Sequence, residues 1–88
     1  MGIKVRISSL LSQYSNNQRI AEVNGDTVGE CLKHLVEQFP KLKLFDKDGK
    51  LFAYLGIYVN GESAYPEELD KPVKDGDELS IILMIGGG

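Results

Sequence analysis

The chain is poor in the residues that most often carry catalysis and metal binding. Its 88 residues include one cysteine, one histidine and no tryptophan. A single cysteine excludes an intramolecular disulfide and is compatible with a reducing compartment. One cysteine and one histidine are too few for a usual zinc site, and neither a histidine–nucleophile pair nor a phosphate-binding loop is recognisable. We therefore predict no metal site and expect that the chain is not itself an enzyme.

Clusters of basic residues and long apolar runs are also lacking. Ten Lys and Arg residues stand against 13 Asp and Glu residues, which gives a net charge of −3. Without a basic cluster, nucleic acid is not an expected partner. No apolar run approaches the roughly 18 residues of a membrane span, and the N-terminus lacks the apolar segment of a secretory signal. We expect a cytoplasmic protein with no membrane partner.

Acidic side chains gather in the second half of the chain. They are Glu62, Glu67, Glu68, Asp70, Asp75, Asp77 and Glu78. Such a run is either a solvated face or a docking surface for a basic partner. The sequence leaves both interpretations open.

The first half predicts a strand hairpin followed by a helix. Ile3, Val5 and Ile7 alternate with polar residues, and residues 19–23 resume this alternation after a turn-rich stretch. Thr27 and Glu30 have the spacing of a capping box at a helix start. One apolar stripe of helical period follows, and Pro40 ends it; its members are Val28, Cys31, Leu32, Leu35, Val36 and Phe39.

The second half predicts three more strands. Residues 55–59 alternate up to Asn60-Gly61, a strong hairpin signal, and a short return strand is expected at 63–65. A helical turn or loop follows at 66–73, and residues 79–85 form the last and most apolar strand, as expected of a central one. The predicted fold class is α+β: a β-grasp, ubiquitin-like domain over residues 1–85, with a mixed sheet of four to five strands and one main helix packed on one face.

Three glycines end the sequence directly after the last predicted strand. Gly86, Gly87 and Gly88 form a flexible tail without side chains, and with Ile85 they reach on the order of 13 Å at about 3.3 Å per residue. Terminal glycines are often only a frayed end. A slender tail leaving a compact β-grasp body instead indicates a carboxylate that enters the active site of another protein. Activation of that carboxylate with ATP and attack by sulfur would give a thiocarboxylate at Gly88.

Several segments together resemble a known family. They are Thr27-Val28 before the helix, residues 39–43, 44–51, 58–62, 69–73 and 75–81, and the terminal glycines. In this order they are similar to the MoaD and ThiS family of ubiquitin-like sulfur carriers, which includes the small subunit of molybdopterin synthase. The resemblance implies that an adenylating enzyme of the ubiquitin-activating type, which uses ATP, forms a thiocarboxylate on the final glycine. It also implies a sulfur-accepting partner such as the large subunit of molybdopterin synthase, and no cofactor bound by the chain itself.

The tail departs from the family pattern, which usually has two glycines after proline or a valine-alanine pair. Here a third glycine is present and the proline is missing. Either Gly88 is activated as it stands, or one residue is removed first and Gly87 is exposed.

Several side chains invite a functional interpretation. Cys31 lies on the apolar face of the predicted helix, which favours a buried, inert thiol. His34 lies four residues after Glu30 and is expected to be its solvated partner. Ile82, Met84 and Ile85 lie beside the tail; the first two are expected to point outward and, with Ile85, to form a docking patch rimmed by the acidic residues.

Three functions remain open at this point. The leading hypothesis is sulfur donation to a biosynthetic enzyme, above all in molybdopterin or tungstopterin assembly, with thiamine or cysteine synthesis as variants. The second is a ubiquitin-like protein modifier that is joined to lysines through the same glycine. The third is a non-covalent β-grasp interaction module with an idle tail.

Overall fold

The computed structural model describes residues 2–84. Its strands are β1 (Ile3–Ile7), β2 (Ile20–Val23), β3 (Leu55–Val59), β4 (Glu62–Ser63) and β5 (Glu78–Leu83), and its α-helix is α1 (Val28–Gln38). Two short 3₁₀ helices span Ser12–Tyr14 and Glu68–Asp70. Within the described range no helix is long and apolar enough to cross a membrane.

The five strands form one mixed sheet in the order β2-β1-β5-β3-β4. Strand β5 lies in the centre, parallel to β1 on one side and antiparallel to β3 on the other. Its continuous apolar character predicted this central place. The element order and the mixed sheet confirm the predicted α+β class and the β-grasp arrangement.

One face of the sheet packs against α1 and forms the core. The alternation in β1 is obeyed, since Ile3, Val5 and Ile7 are buried while Lys4 and Arg6 are exposed. The helix contributes its apolar stripe to the same cluster. Because each fully buried aliphatic side chain contributes about 1.5–3 kcal/mol relative to exposure, this cluster is the main source of stability in so small a domain.

The start of α1 is capped as predicted, with one difference. Thr27 Oγ1 accepts a hydrogen bond from the Glu30 N–H at 3.2 Å, and Glu30 Oε1 accepts one from the Asp26 N–H at 2.7 Å. The expected pairing of His34 with Glu30 is wrong. His34 Nδ1 instead accepts a hydrogen bond from the Asn24 N–H at 2.9 Å, so that it holds the end of β2 against the helix.

Gly29 lies inside α1, where helix propensity disfavours glycine by about 1 kcal/mol relative to alanine. A Cβ at this position would lie 3.1 Å from the Leu69 carbonyl oxygen and 3.3 Å from Leu69 Cβ. The missing side chain therefore allows the 3₁₀ helix Glu68–Asp70 to approach α1 closely. The Val28 N–H adds a hydrogen bond to the Lys71 carbonyl oxygen at 2.9 Å.

Asn60 and Gly61 form the predicted two-residue turn between β3 and β4. Their φ angles are 52° and 86°, the left-handed values that this kind of hairpin turn requires. The Asn60 side chain also contacts the start of β5: Oδ1 accepts from the Glu78 N–H at 2.9 Å, and Nδ2 donates to Asp77 Oδ1 at 3.0 Å. Strand β4 begins one residue before the predicted return strand.

Candidate functional site

The chain leaves the sheet from the end of β5 at a fixed position. The pairing of Leu83 with Leu55 is extended by one more hydrogen bond, in which the Met84 N–H donates to the Tyr54 carbonyl oxygen at 2.7 Å. The root of the predicted tail is therefore held by the neighbouring strand. The predictions for Ile85, for Gly86, Gly87 and Gly88, and for a boundary at residue 85 lie outside the described residues.

Two apolar side chains lie on the outer face of the sheet beside this exit. Ile82 is 36% exposed and Met84 is 51% exposed, whereas Ile81 points to the core and is 1% exposed. This is the outward placement that the alternation predicted. The docking role of Ile82 and Met84 remains a prediction.

Gly56, to which the sequence assigned no role, allows Ile82 and Met84 to pack closely against β3. It lies opposite Ile82 in the pairing of β3 with β5. A Cβ at position 56 would lie 3.1 Å from Ile82 Cγ1, 3.1 Å from Met84 Sδ and 3.2 Å from Met84 Cγ. The two side chains thus pack over the bare glycine, and an isolated glycine inside a strand pattern is a signal for such a close approach. We call Gly56, Ile82 and Met84 the exit patch.

Two of the acidic residues, Glu62 and Glu78, do not lie at the exit patch, where the predicted rim would place them. Glu78 begins β5, four residues before Ile82, which places it about 13 Å away at 3.3 Å per residue. Glu62 pairs with Val59, which in turn lies opposite Leu79 near the same start of β5. Glu78 Oε1 is instead paired with Arg6 Nε at 3.1 Å. The rim prediction is therefore wrong for Glu62 and Glu78, which lie at the end of β5 opposite the tail root.

A groove of about 260 Å³ lies at the same end of the molecule as the exit patch. Three separate segments contribute its lining, which consists of Leu11, Tyr14, Lys41, Lys43 and Tyr54. Tyr54 is the residue whose carbonyl oxygen holds Met84, and its ring stacks on Phe52 with centroids 5.2 Å apart. We call the whole recess the lysine groove. Sequence reasoning missed it because its members are far apart along the chain.

Cys31 is enclosed in the core, as predicted. Its exposed fraction is 0%, and burial, followed by the negative charge of Glu30, raises the pKa of the thiol to about 11. The thiol therefore stays protonated at neutral pH and has no contact with solvent. Among residues 2–84 no group of three His, Cys, Asp or Glu side chains is placed to hold a metal ion.

The described part of the molecule thus offers surfaces, not a set of reacting side chains. The exit patch and the lysine groove both lie at the tail root. A protein that receives the residues beyond Met84 in its active site must cover this end of the sheet.

Comparisons with known proteins give the family. The model of the ThiS family matches residues 6–88. The chain is 29% identical over 93 residues to the sulfur carrier protein CysO of Mycobacterium tuberculosis, with all of both chains covered. It is 37% identical over 70 residues to small archaeal modifier protein 1 of Haloferax volcanii, covering 76% of this chain and 77% of that protein.

A solved structure agrees with these relatives. A chain in the crystal structure of the Amycolatopsis orientalis BexX/CysO complex is 30% identical and superposes with a TM-score of 0.86, over 98% of this chain and 99% of that one. The family model extends through the terminal glycines. On this match, which covers far more than half of the sequence, the chain belongs to the ThiS family.

Proposed function

We propose that the protein is a sulfur carrier whose working group is the C-terminal carboxylate of Gly88. The carboxylate attacks the α-phosphorus of ATP in an activating enzyme, pyrophosphate leaves, and an acyl-adenylate forms. Hydrosulfide then attacks the acyl carbon and AMP leaves, which gives the thiocarboxylate. If a persulfide is the donor, the first product is an acyl disulfide, and a thiol must reduce it to release the thiocarboxylate.

The observation that carries this proposal is the fixed exit of the chain beside an exposed apolar patch. Met84 is held by Tyr54 at 2.7 Å, while Ile82 and Met84 lie open on the outer face. A partner can bind this rigid surface and receive the slender glycines that follow it. A sulfur atom on such a tether is delivered to the acceptor at a high effective concentration, instead of diffusing as free sulfide.

The relatives support the carrier role and bear on the acceptor. The name of the Mycobacterium tuberculosis protein is sulfur carrier protein CysO, and it matches over the full length of this chain. We propose that this chain gives its sulfur to a cytoplasmic biosynthetic enzyme. Molybdopterin or tungstopterin assembly is the acceptor pathway that the sequence resemblance implies, and cysteine or thiamine synthesis would use the same thiocarboxylate.

Mass spectrometry of the intact protein tests the proposal. The full chain is incubated with its activating enzyme, ATP and sulfide, and a mass gain of about 16 Da is expected because sulfur replaces one oxygen. A variant that lacks Gly87 and Gly88 should show no gain, and omission of ATP should abolish the gain in the full chain. A full chain that never gains this mass would overturn the proposal. The same deletion tests the non-covalent alternative, because a binding module with an idle tail would keep its interactions.

Protein modification is the second candidate, and one observation favours it. The chain is 37% identical to small archaeal modifier protein 1 of Haloferax volcanii. The same acyl-adenylate, or a thioester derived from it, can be attacked by a lysine amine to give an isopeptide bond. After proteolysis of cell extracts, lysines that carry a C-terminal glycine remnant of this chain would identify conjugation, and their absence from cells that contain the thiocarboxylate would exclude it.

A further inference from the structure

The lysine groove is a positively charged recess on an acidic protein. The whole chain has a net charge of −3, yet among the described residues the charged side chains in the groove lining are Lys41 and Lys43 alone. Within residues 2–84 the one ion pair joins Arg6 to Glu78, so neither lysine is paired with a carboxylate of this part of the chain. Both ammonium groups are therefore available to an external anionic group.

Local packing fixes the direction in which the lysines point. Leu42, between them, is 0% exposed, and its N–H donates to the Phe39 carbonyl oxygen at 2.9 Å. This anchor places the two neighbouring side chains on the solvent side of the loop. Tyr14 and Tyr54, which are 44% and 47% exposed, add two aromatic rings to the groove. Tyrosine is enriched at interface cores because its large rigid side chain loses little conformational entropy when it binds.

The position of the groove limits what can cover it. Tyr54 lines the groove and also holds Met84 through its carbonyl oxygen. The residues from Ile85 to Gly88 reach on the order of 13 Å. A stable interface covers roughly 800 Å² on each partner, which is a disc of about 16 Å radius. An enzyme that takes Gly88 into its active site therefore comes within reach of Tyr54 and the lysines beside it.

Charge complementarity defines the surface of that enzyme. Two unpaired ammonium groups covered by an apolar or basic surface would lose hydration without compensation, which is costly. We propose that the lysine groove binds an acidic segment of the activating enzyme, with carboxylates on Lys41 and Lys43 and an apolar or aromatic side chain between Tyr14 and Tyr54. This inference rests on the proposed function and adds to it a second contact, distinct from the exit patch.

The groove and the exit patch then have different tasks. The exit patch is apolar and contributes to the lifetime of the complex, whereas the lysines steer the encounter and fix the orientation of the carrier. Glu62, Asp77 and Glu78 lie near the start of β5, at the opposite end of that strand from Met84. An acidic surface on the enzyme attracts the groove lysines and repels these carboxylates, which favours productive approach.

ATP-dependent pyrophosphate exchange by the activating enzyme tests the groove. The variant K41E/K43E is compared with K33E/K74E, which makes the same change in net charge at exposed lysines of α1 and of the turn before β5. We expect the KM for the carrier to rise about tenfold or more in K41E/K43E, with kcat and the KM for ATP unchanged, and less than about threefold in K33E/K74E. The difference should shrink as salt rises from 50 to 500 mM, roughly, because screening weakens the contact.

The outcomes separate the two proposals. A wild-type chain that is never adenylated would overturn the proposed function, and the groove assignment with it. Normal activation of wild type with equal KM values in the two double variants would overturn the groove assignment alone. A changed KM for ATP in K41E/K43E would also overturn it, because the groove would then take a nucleotide phosphate. Circular dichroism and a thermal melt confirm that both variants are folded before the kinetics are compared.

Discussion

Gly56 lies directly opposite Ile82 across the β3–β5 pair, and the space that its missing side chain leaves is covered by Ile82 and Met84. The only substitution that keeps the backbone and fills this space with one carbon is Gly56→Ala. The new Cβ would be 3.1 Å from Ile82 Cγ1 and from Met84 Sδ, so both flexible side chains must move by a few tenths of an ångström.

We predict that Gly56→Ala changes recognition more than stability. Alanine is favoured over glycine in a strand by about 0.5–1 kcal/mol, which offsets the tight contact, so the free energy of unfolding should change by less than about 1 kcal/mol. The KM of the activating enzyme should rise several-fold because the exit patch has a different shape. Methyl NMR signals of Ile82 and Met84 should shift, while those of Ile20, exposed on β2, should not. Unchanged signals together with an unchanged KM would contradict the prediction.

Met84→Asp places a charge in the middle of the exit patch. Because Met84 is 51% exposed, the cost to folding should stay within about 0.5 kcal/mol. Binding to the activating enzyme, measured by titration calorimetry, should weaken by about tenfold or more, since an interface core excludes unpaired charge. Ile20→Asp is the matched control, because Ile20 is 50% exposed and lies on the edge strand β2, which β1 separates from β5. Equal affinities for wild type and Met84→Asp would show that Met84 is not part of the interface.

Two substitutions separate the conformational role of Asn60 from its hydrogen-bonding role. Asn60→Gly keeps the left-handed φ of 52° but removes the bonds to Asp77 and Glu78, and should cost about 1–2 kcal/mol of unfolding free energy. Asn60→Ala removes the same bonds and adds backbone strain, so it should cost about 1 kcal/mol more. Urea denaturation at pH 7 measures both. Equal losses in the two variants would show that the φ angle is not under strain.

Asn60 also contributes to the free energy of unfolding at low pH, through its contact with Asp77. The hydrogen bond from the Asn60 side chain, and then that from the Lys74 N–H, hold the pKa of Asp77 below its ordinary value of 3.8. A depressed pKa gives stability that is present above the unfolded value and is lost as the pH falls through the folded one. In Asn60→Gly the larger of these two contacts is gone, so the Asp77 contribution should be smaller, and the free energy of unfolding should fall less steeply with acidification than in wild type. Unfolding midpoints between pH 5 and 2, roughly, compare the two proteins.

Cys31 should behave as an inert core residue until the pH is high. Its pKa is raised to about 11 in the folded protein, so the folded state keeps the thiol proton at a pH where the unfolded chain, with the ordinary value of 9.0, has lost it. The associated stability is fully present below pH 9.0 and is lost as the pH rises towards about 11. At pH 8, iodoacetamide should modify Cys31 only after unfolding in urea. Rapid alkylation of the folded protein would contradict the burial of this thiol.

Local sequence signals predicted much of the fold. The alternation of Ile3, Val5 and Ile7, the cap at Thr27 and the turn at Asn60-Gly61 depend on neighbours within a few residues, and all three are confirmed. The error at His34 came from the same local reasoning. The Glu30 carboxylate was engaged by the Asp26 N–H, and the true donor to His34 lies ten residues away at Asn24.

The candidate site was predicted only in part, because it depends on contacts between distant segments. The outward direction of Ile82 and Met84 follows from strand alternation. The role of Gly56 requires the register between β3 and β5, which no local pattern specifies. The lysine groove requires three segments to meet. The acidic rim was predicted because these residues are close to Ile82 and Met84 in sequence. The two ends of a strand, however, lie far apart in space.

The central place of β5 has a mechanical consequence. The strand is hydrogen-bonded along both edges, to β1 and to β3, close to the point where the described chain ends at Met84. A pull on Met84 along the strand axis acts in shear, parallel to both ladders, and loads many hydrogen bonds at once instead of breaking them one after another. If the terminus is drawn into an enzyme, as the proposed function requires, the domain should move as a unit without unfolding.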